Sequence, residues 1–223
     1  MEVIAVRSAA CAIALIVVAS PTLAGTVKGQ VELVQKGGRK GSDLTEVVLW
    51  IEGTKAKPKP AQATMTMRAK TFSPRVLAVG VGGTVEFPND DPIFHNVFSV
   101  SADNRFDLDL YKRPKSGRHT FLSPGVVRVY CNIHPQMSAV VVVRDSPYFT
   151  QAREDGSFVL PDVPAGRYRI KAWHERASQE ASAEITVPES GETGAKLVLD
   201  ASSFRRIQHK KKDGKSYGSD EKY

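Results

Sequence analysis

The chain has 223 residues, with 31 Lys and Arg against 24 Asp and Glu and a formal net charge of +7. The excess is concentrated at the end, where seven Lys or Arg between Arg205 and Tyr223 face three Asp or Glu. That stretch reads as a solvated, poorly ordered tail on an exported protein, and nucleic-acid binding is not expected of it.

In chain order, residues 1–24 read as a secretory signal. Arg7 precedes an apolar run from Ala9 to Ala19, too short for a stable membrane span. Thr22 and Ala24 suit the small-residue positions before a cut at Ala24–Gly25. No later stretch is long enough to cross a bilayer, so a periplasmic or secreted protein of roughly 199 residues is expected. Cys11 leaves with the signal. Cys131 is then the single cysteine of the mature chain, unable to form an internal disulfide and therefore reactive, intermolecular or metal-bound.

The mature chain reads as all-β, with short Val-, Ile-, Phe- and Tyr-rich runs between Gly, Pro and Asp turns. The expected strands are 26–34, 46–52, 62–70, 75–79, 84–87, 95–100, 118–122, 126–131, 139–144, 157–160, 167–174, 181–187 and 195–199. No amphipathic helix longer than two turns is expected. Two breaks mark boundaries: the charged, proline-bearing Lys55-Ala-Lys-Pro-Lys-Pro60 and Asp145-Ser-Pro147.

Between those breaks lies Tyr130-Cys131-Asn132-Ile133-His134-Pro135-Gln136-Met137, a tight loop between two expected strands. Thiolate, imidazole and thioether together suit copper cycling between its two oxidation states. Soft sulfur stabilises the reduced ion and imidazole accepts either. A fourth ligand is expected to be a second imidazole, and His95 opens an apolar strand after the turn Asn89-Asp-Asp-Pro92. Taken one at a time, each residue has a bland reading: a buried Cys, a core Met, a strand-edge His. In this order, on these elements, with no other mature cysteine, copper is the better reading.

Residues 62–144 resemble a cupredoxin, the blue-copper fold of plastocyanin, pseudoazurin and amicyanin. The likeness rests on Phe72-Ser-Pro74, Gly83-Thr-Val-Glu-Phe-Pro-Asn89, His95-Asn-Val97, Pro124-Gly-Val126 and the compact Cys131-x2-His134-x2-Met137 loop of amicyanin type. It implies a Greek-key β-sandwich holding one type 1 copper per chain. His95, Cys131 and His134 would form the trigonal plane, with Met137 as the long axial ligand. The same likeness implies that Asn96 hydrogen-bonds the ligand loop, with Asn132 and Pro135 as further supports. His134 would be the electron port, with Phe94, Ile133 and Pro135 as an apolar docking patch around it. Its partners would be a c-type cytochrome or a periplasmic dehydrogenase. His119, exposed on a strand, His174 and His209 are expected to stay clear of the metal.

Residues 148–200 carry turn pairs Asp155-Gly156 and Pro164-Ala-Gly166 and look like the second half of a carboxypeptidase-regulatory-like, transthyretin-type sandwich. Its missing first strands resemble residues 25–53. The expected organisation is therefore a copper domain (62–144) inserted into a smaller sandwich (25–56 with 147–201), followed by a disordered tail (202–223). Tandem domains are the alternative.

The expected function is a one-electron carrier and not an enzyme. No His-x-His pair is present for a multicopper cluster, and the loop has one cysteine where a binuclear copper site needs two. Copper storage or delivery is a second reading. A structural or carbohydrate-binding module with a redox-inactive cupredoxin is a third.

Overall fold

A computed structural model describes residues 24–205 and 209–217. The expected signal, apart from Ala24, lies outside the described residues, as do 206–208 and 218–223 of the tail. Among the described residues the chain is all-β, with three single-turn 3-10 segments.

Two strands come first, β1 (Ala24–Val34) and β2 (Val48–Glu52). Ten follow: β3 (Gln62–Thr64), β4 (Thr66–Arg68), β5 (Thr71–Ser73), β6 (Val76–Gly80), β7 (Thr84–Pro88), β8 (His95–Ser99), β9 (Phe106–Tyr111), β10 (Ser116–Thr120), β11 (Gly125–Tyr130) and β12 (Ser138–Arg144). The last five are β13 (Phe149–Gln151), β14 (Ser157–Pro164), β15 (Gly166–Trp173), β16 (Ala181–Val187) and β17 (Glu192–Asp200).

β1 pairs antiparallel with β14 and parallel with β17, while β2 lies between β13 and β15. The first two strands thus complete two sheets, β14-β1-β17 and β13-β2-β15-β16, with strands roughly 100 to 170 residues later. Val27, Val31, Leu49, Ile51, Phe158, Leu160, Ile170 and Leu199 fill the core between them. The middle of the chain forms β6-β12-β11-β8-β9 on one side, with β10-β7-β3 and the β4-β5 hairpin opposite. Met65, Met67, Phe87, Phe121, Val129, Cys131, Met137 and Val141 belong to that second core.

The two bodies meet through strands that are apolar on both faces. In β12, Ala139, Val141 and Val143 enter the second core, while Val140 and Val142 point the other way. In β2, Leu49 and Ile51 enter the other core, while Val48 and Trp50 meet Val140, Val142 and Val76. Such uninterrupted apolar runs are what period-2 geometry requires of a strand buried on both faces. Beside this seam Arg75 pairs with Glu46 and Glu175, and Arg128 reaches Glu175 at 2.6 Å. Arg144 lies over the Trp50 ring, 4.3 Å from its centroid.

Three strands were not expected: β5, β9 and β13. Conversely the single strand expected over 62–70 is two, interrupted at Met65. His119, expected to be exposed, is half-buried and stacks on Phe106 with ring centroids 4.2 Å apart.

Candidate metal centre

The candidate ligands gather at one end of the middle body. His95 is the first residue of β8, and the Cys131–Met137 loop links β11 to β12. The loop is closed at its base by the Cys131 N–H donating to the Met137 carbonyl (3.2 Å) and the Met137 N–H donating to the His134 carbonyl (3.0 Å). These bonds fold seven residues into a compact turn.

Within it, Cys131 Sγ lies 3.9 Å from His95 Nδ1 and 3.7 Å from His134 Nδ1, and the two Nδ1 atoms are 3.1 Å apart. His95 and Cys131 are fully buried and His134 is partly so. Met137 is fully buried in the same core as Cys131. Three soft or borderline donors therefore lie within 4.8 Å of one another.

A residue that sequence reading missed fixes this arrangement. Asp91 Oδ2 lies 2.8 Å from His95 Nε2. A carboxylate there accepts the Nε2 proton and leaves the Nδ1 lone pair facing Cys131. Asp91 is itself held by the N–H groups of Ala69 (2.8 Å) and Lys70 (3.0 Å), and its own N–H donates to Asn89 Oδ1 (2.9 Å). Ala69 and Lys70 sit at φ 51° and 55°, the left-handed pair of the β4-β5 turn. The carboxylate repays that conformation by capping both N–H groups. Asn89 Nδ2 then donates to the Ile93 and Tyr111 carbonyls, pinning the turn that leads into His95.

The electrostatics favour the metal-binding forms of Cys131 and His134, while His95 is drawn toward its charged form by the two anions beside it. Burial works against the Cys131 thiolate, but the His95 ring and the N–H groups of Asn96, Ile133 and His134 outweigh it and hold the thiol below its ordinary pKa. Burial also disfavours charge on His95, yet Cys131 and Asp91 together raise its pKa. Burial, with His95 and Lys70 adding like charge, lowers that of His134 and favours its neutral form. A neutral imidazole and a thiolate are the forms that bind metal.

The other expected residues fall into place differently. The Asn96 side chain turns away from the ligand loop, donating to Asp107 Oδ1 (2.7 Å) and the Asp109 carbonyl (3.0 Å). Its support of the site runs through its backbone N–H to Cys131. Asn132 Oδ1 accepts the Lys212 N–H at 2.9 Å, so it faces the C-terminal tail. Ile133 and Phe94 are 38% and 50% exposed, whereas Pro135 is buried and adds nothing to a surface patch. His174 is buried against Glu46 at 3.7 Å, away from the loop. The expected disorder does not extend to residues 209–217. They form a turn closed by Lys211 N–H to Lys215 O (2.9 Å), and the Tyr217 hydroxyl donates to the Cys131 carbonyl at 2.8 Å.

No family model matches the sequence, and no curated protein does. Solved structures do match over part of the chain. A purple cupredoxin from Nitrosopumilus maritimus is 28% identical over 37% of this chain and 99% of its own, with a TM-score of 0.34. A copper-containing nitrite reductase from Thermus scotoductus SA-01 is 28% identical over 42% of this chain and 24% of its own, with a TM-score of 0.35. The chain thus spans about a quarter of the reductase. A reduced amicyanin variant is 22% identical over 43% of this chain and 98% of its own, with a TM-score of 0.36.

Proposed function

We propose that the protein binds one copper ion through His95, Cys131, His134 and Met137 and carries single electrons outside the cytoplasm. The observation that carries this reading is the convergence of two imidazole Nδ1 atoms and one buried sulfur, with one imidazole oriented by Asp91. Copper bound there would supply reversible exchange of one electron between its two oxidation states. The protein's own residues do the rest. The closed Cys131–Met137 loop resists rearrangement, which keeps the cost of changing oxidation state low. Burial of His95, Cys131 and Met137 excludes water from the sulfur side. His134 alone of the ligands is partly exposed, next in the chain to the exposed Ile133, and offers the shortest way out for an electron.

We also read the first two strands and the last five as a host sandwich, transthyretin-like, with the copper domain inserted between them. The pairing of β1 with β14 and β17 supports this. The partner would be a c-type cytochrome or a periplasmic dehydrogenase, and the protein a carrier with no reaction of its own. Storage or delivery is less well supported: three of the four proposed ligands are sealed in the core, where handing the ion to another protein would require opening the loop.

The experiment is a potentiometric titration of the copper-loaded protein. A reversible change following one electron per chain supports a carrier. Irreversible loss of copper on reduction would instead support delivery.

A further inference from the structure

Residues 209–217 carry four lysines against one aspartate, yet they do not trail into solvent. Three anchors hold them to the ligand loop and its neighbour. Tyr217 donates to the Cys131 carbonyl (2.8 Å), and the Lys212 N–H donates to Asn132 Oδ1 (2.9 Å). The His209 ring stacks on Tyr130 at 4.4 Å between centroids and meets Tyr217 edge-on at 5.3 Å. A fourth contact, Lys212 Nζ to Asp107 Oδ2 at 2.6 Å, ties the turn to β9. These touch Tyr130, Cys131 and Asn132, consecutive residues at the start of the proposed metal loop.

A chain segment gains little from ordering unless its contacts outweigh the entropy lost. Here a partly buried hydroxyl bond and a three-ring cluster provide them, and the lysines are carried along on the outer side. Lys210 and Lys215 are exposed; Asp213 lies 3.4 Å from Lys215, and Asp109 near Lys212 offsets part of the charge. On the other flank Lys112 stands over the exposed Phe94 ring, 5.3 Å from its centroid. Positive charge therefore lies next to both exposed apolar residues, Lys112 at Phe94 and Lys212 at Asn132, the neighbour of Ile133. The remaining lysine-rich stretch, 55–59, is at the opposite end, where Pro58 and Pro60 pack against Gly80 and Gly82.

We infer that the C-terminal turn is a docking element which brings the acidic face of a redox partner onto the ligand loop. It rests on the copper reading for the partner's purpose. The anchors themselves do not depend on copper. Positive charge placed at the loop steers an acidic partner toward the exposed Ile133 and Phe94. Tyr217 and His209 keep that charge in register with the electron's exit.

The test uses the full-length protein, kept reduced, and the charge-reversed pair Lys210→Glu/Lys215→Glu. The probe is hexacyanochromate(III), a redox-inert paramagnetic anion that broadens the NMR signals of residues it approaches. Broadening is expected at residues 209–217 and at Asn132 and Ile133, weakened about threefold or more in the variant at low salt. Oxidation by hexacyanoferrate(III), which takes one electron from each reduced site, is expected to slow by a similar factor, and the difference should fade at high salt. Broadening centred on 55–59, or unchanged by the substitutions, would overturn the inference. Sedimentation with phosphatidylserine vesicles that the substitutions abolish, with hexacyanoferrate rates unchanged, would overturn it in favour of a membrane. If the broadening behaves as expected but no copper is retained, the docking surface stands and the electron-carrier reading falls.

Discussion

Asp91 decides the state of His95. Its carboxylate accepts a hydrogen bond from Nε2–H at 2.8 Å, and two N–H groups from another hairpin hold the carboxylate in place. Replacing Asp91 with Ala should release the ring to its other tautomer and lower copper affinity about tenfold or more. Ring nitrogen shifts of His95 in the metal-free protein and a competition titration with a chelator check this; unchanged shifts would show that the β8 backbone alone sets the ring. The four proposed ligands were legible because three lie in one seven-residue loop and the fourth opens a strand. Asp91 was not legible. It sits four residues before His95 in what reads as a polar turn, and it gains its role only when that turn folds against Ala69 and Lys70. Asn96 shows the converse: it was expected to hydrogen-bond the ligand loop through its side chain, which instead donates to the carboxylate of Asp107.

At the scale of elements, β9 was hidden by its composition. Phe106-Asp-Leu-Asp-Leu-Tyr111 alternates as a strand should, but aspartate is depleted in strands and Asp109 takes a left-handed φ of 57°. As the edge beside β8 it presents an exposed Leu110. The 209–217 turn was hidden for a similar reason: a lysine-rich stretch reads as solvated, and its anchors are one tyrosine, one histidine and Lys212. β1 was plain from its alternation, yet its parallel pairing with β17 is a long-range fact that no local pattern carries. Gly29 shows how tight that sheet is. A Cβ there would come 2.0 Å from the Ala195 carbonyl oxygen and 2.6 Å from the Phe158 ring. Gly29→Ala should therefore cost about 2–4 kcal/mol through overpacking. Denaturant unfolding measures it, and a loss below about 0.5 kcal/mol would mean that β1 and β17 separate freely.

Over the whole molecule, the two bodies share an apolar seam and a cluster of ion pairs at Arg75. Burial raises the cost of charge on Glu175, but Arg75 and Arg128 outweigh it and hold its pKa below the ordinary carboxylate range. A group so depressed stabilises the fold above its unfolded value, and that contribution is lost as pH falls through the lower folded value. Glu175→Gln should cost about 1–3 kcal/mol at neutral pH, since it leaves Arg75 with one partner fewer. The gap between parent and variant melting temperatures should close as pH drops below 4. A constant gap would mean that packing at Glu175 matters and its charge does not. The stacking of the two bodies could be glimpsed in the doubly apolar runs of β2 and β12. Which runs would face each other could not, because many Val-rich strands offer equivalent faces.

The most direct test is the visible and paramagnetic spectrum of the protein loaded with one equivalent of Cu(II), alongside Cys131→Ser. An intense thiolate-to-copper band with a narrow copper hyperfine splitting, absent in the variant, is the predicted result. A colourless protein at one copper per chain, or a band that survives Cys131→Ser, would contradict the account.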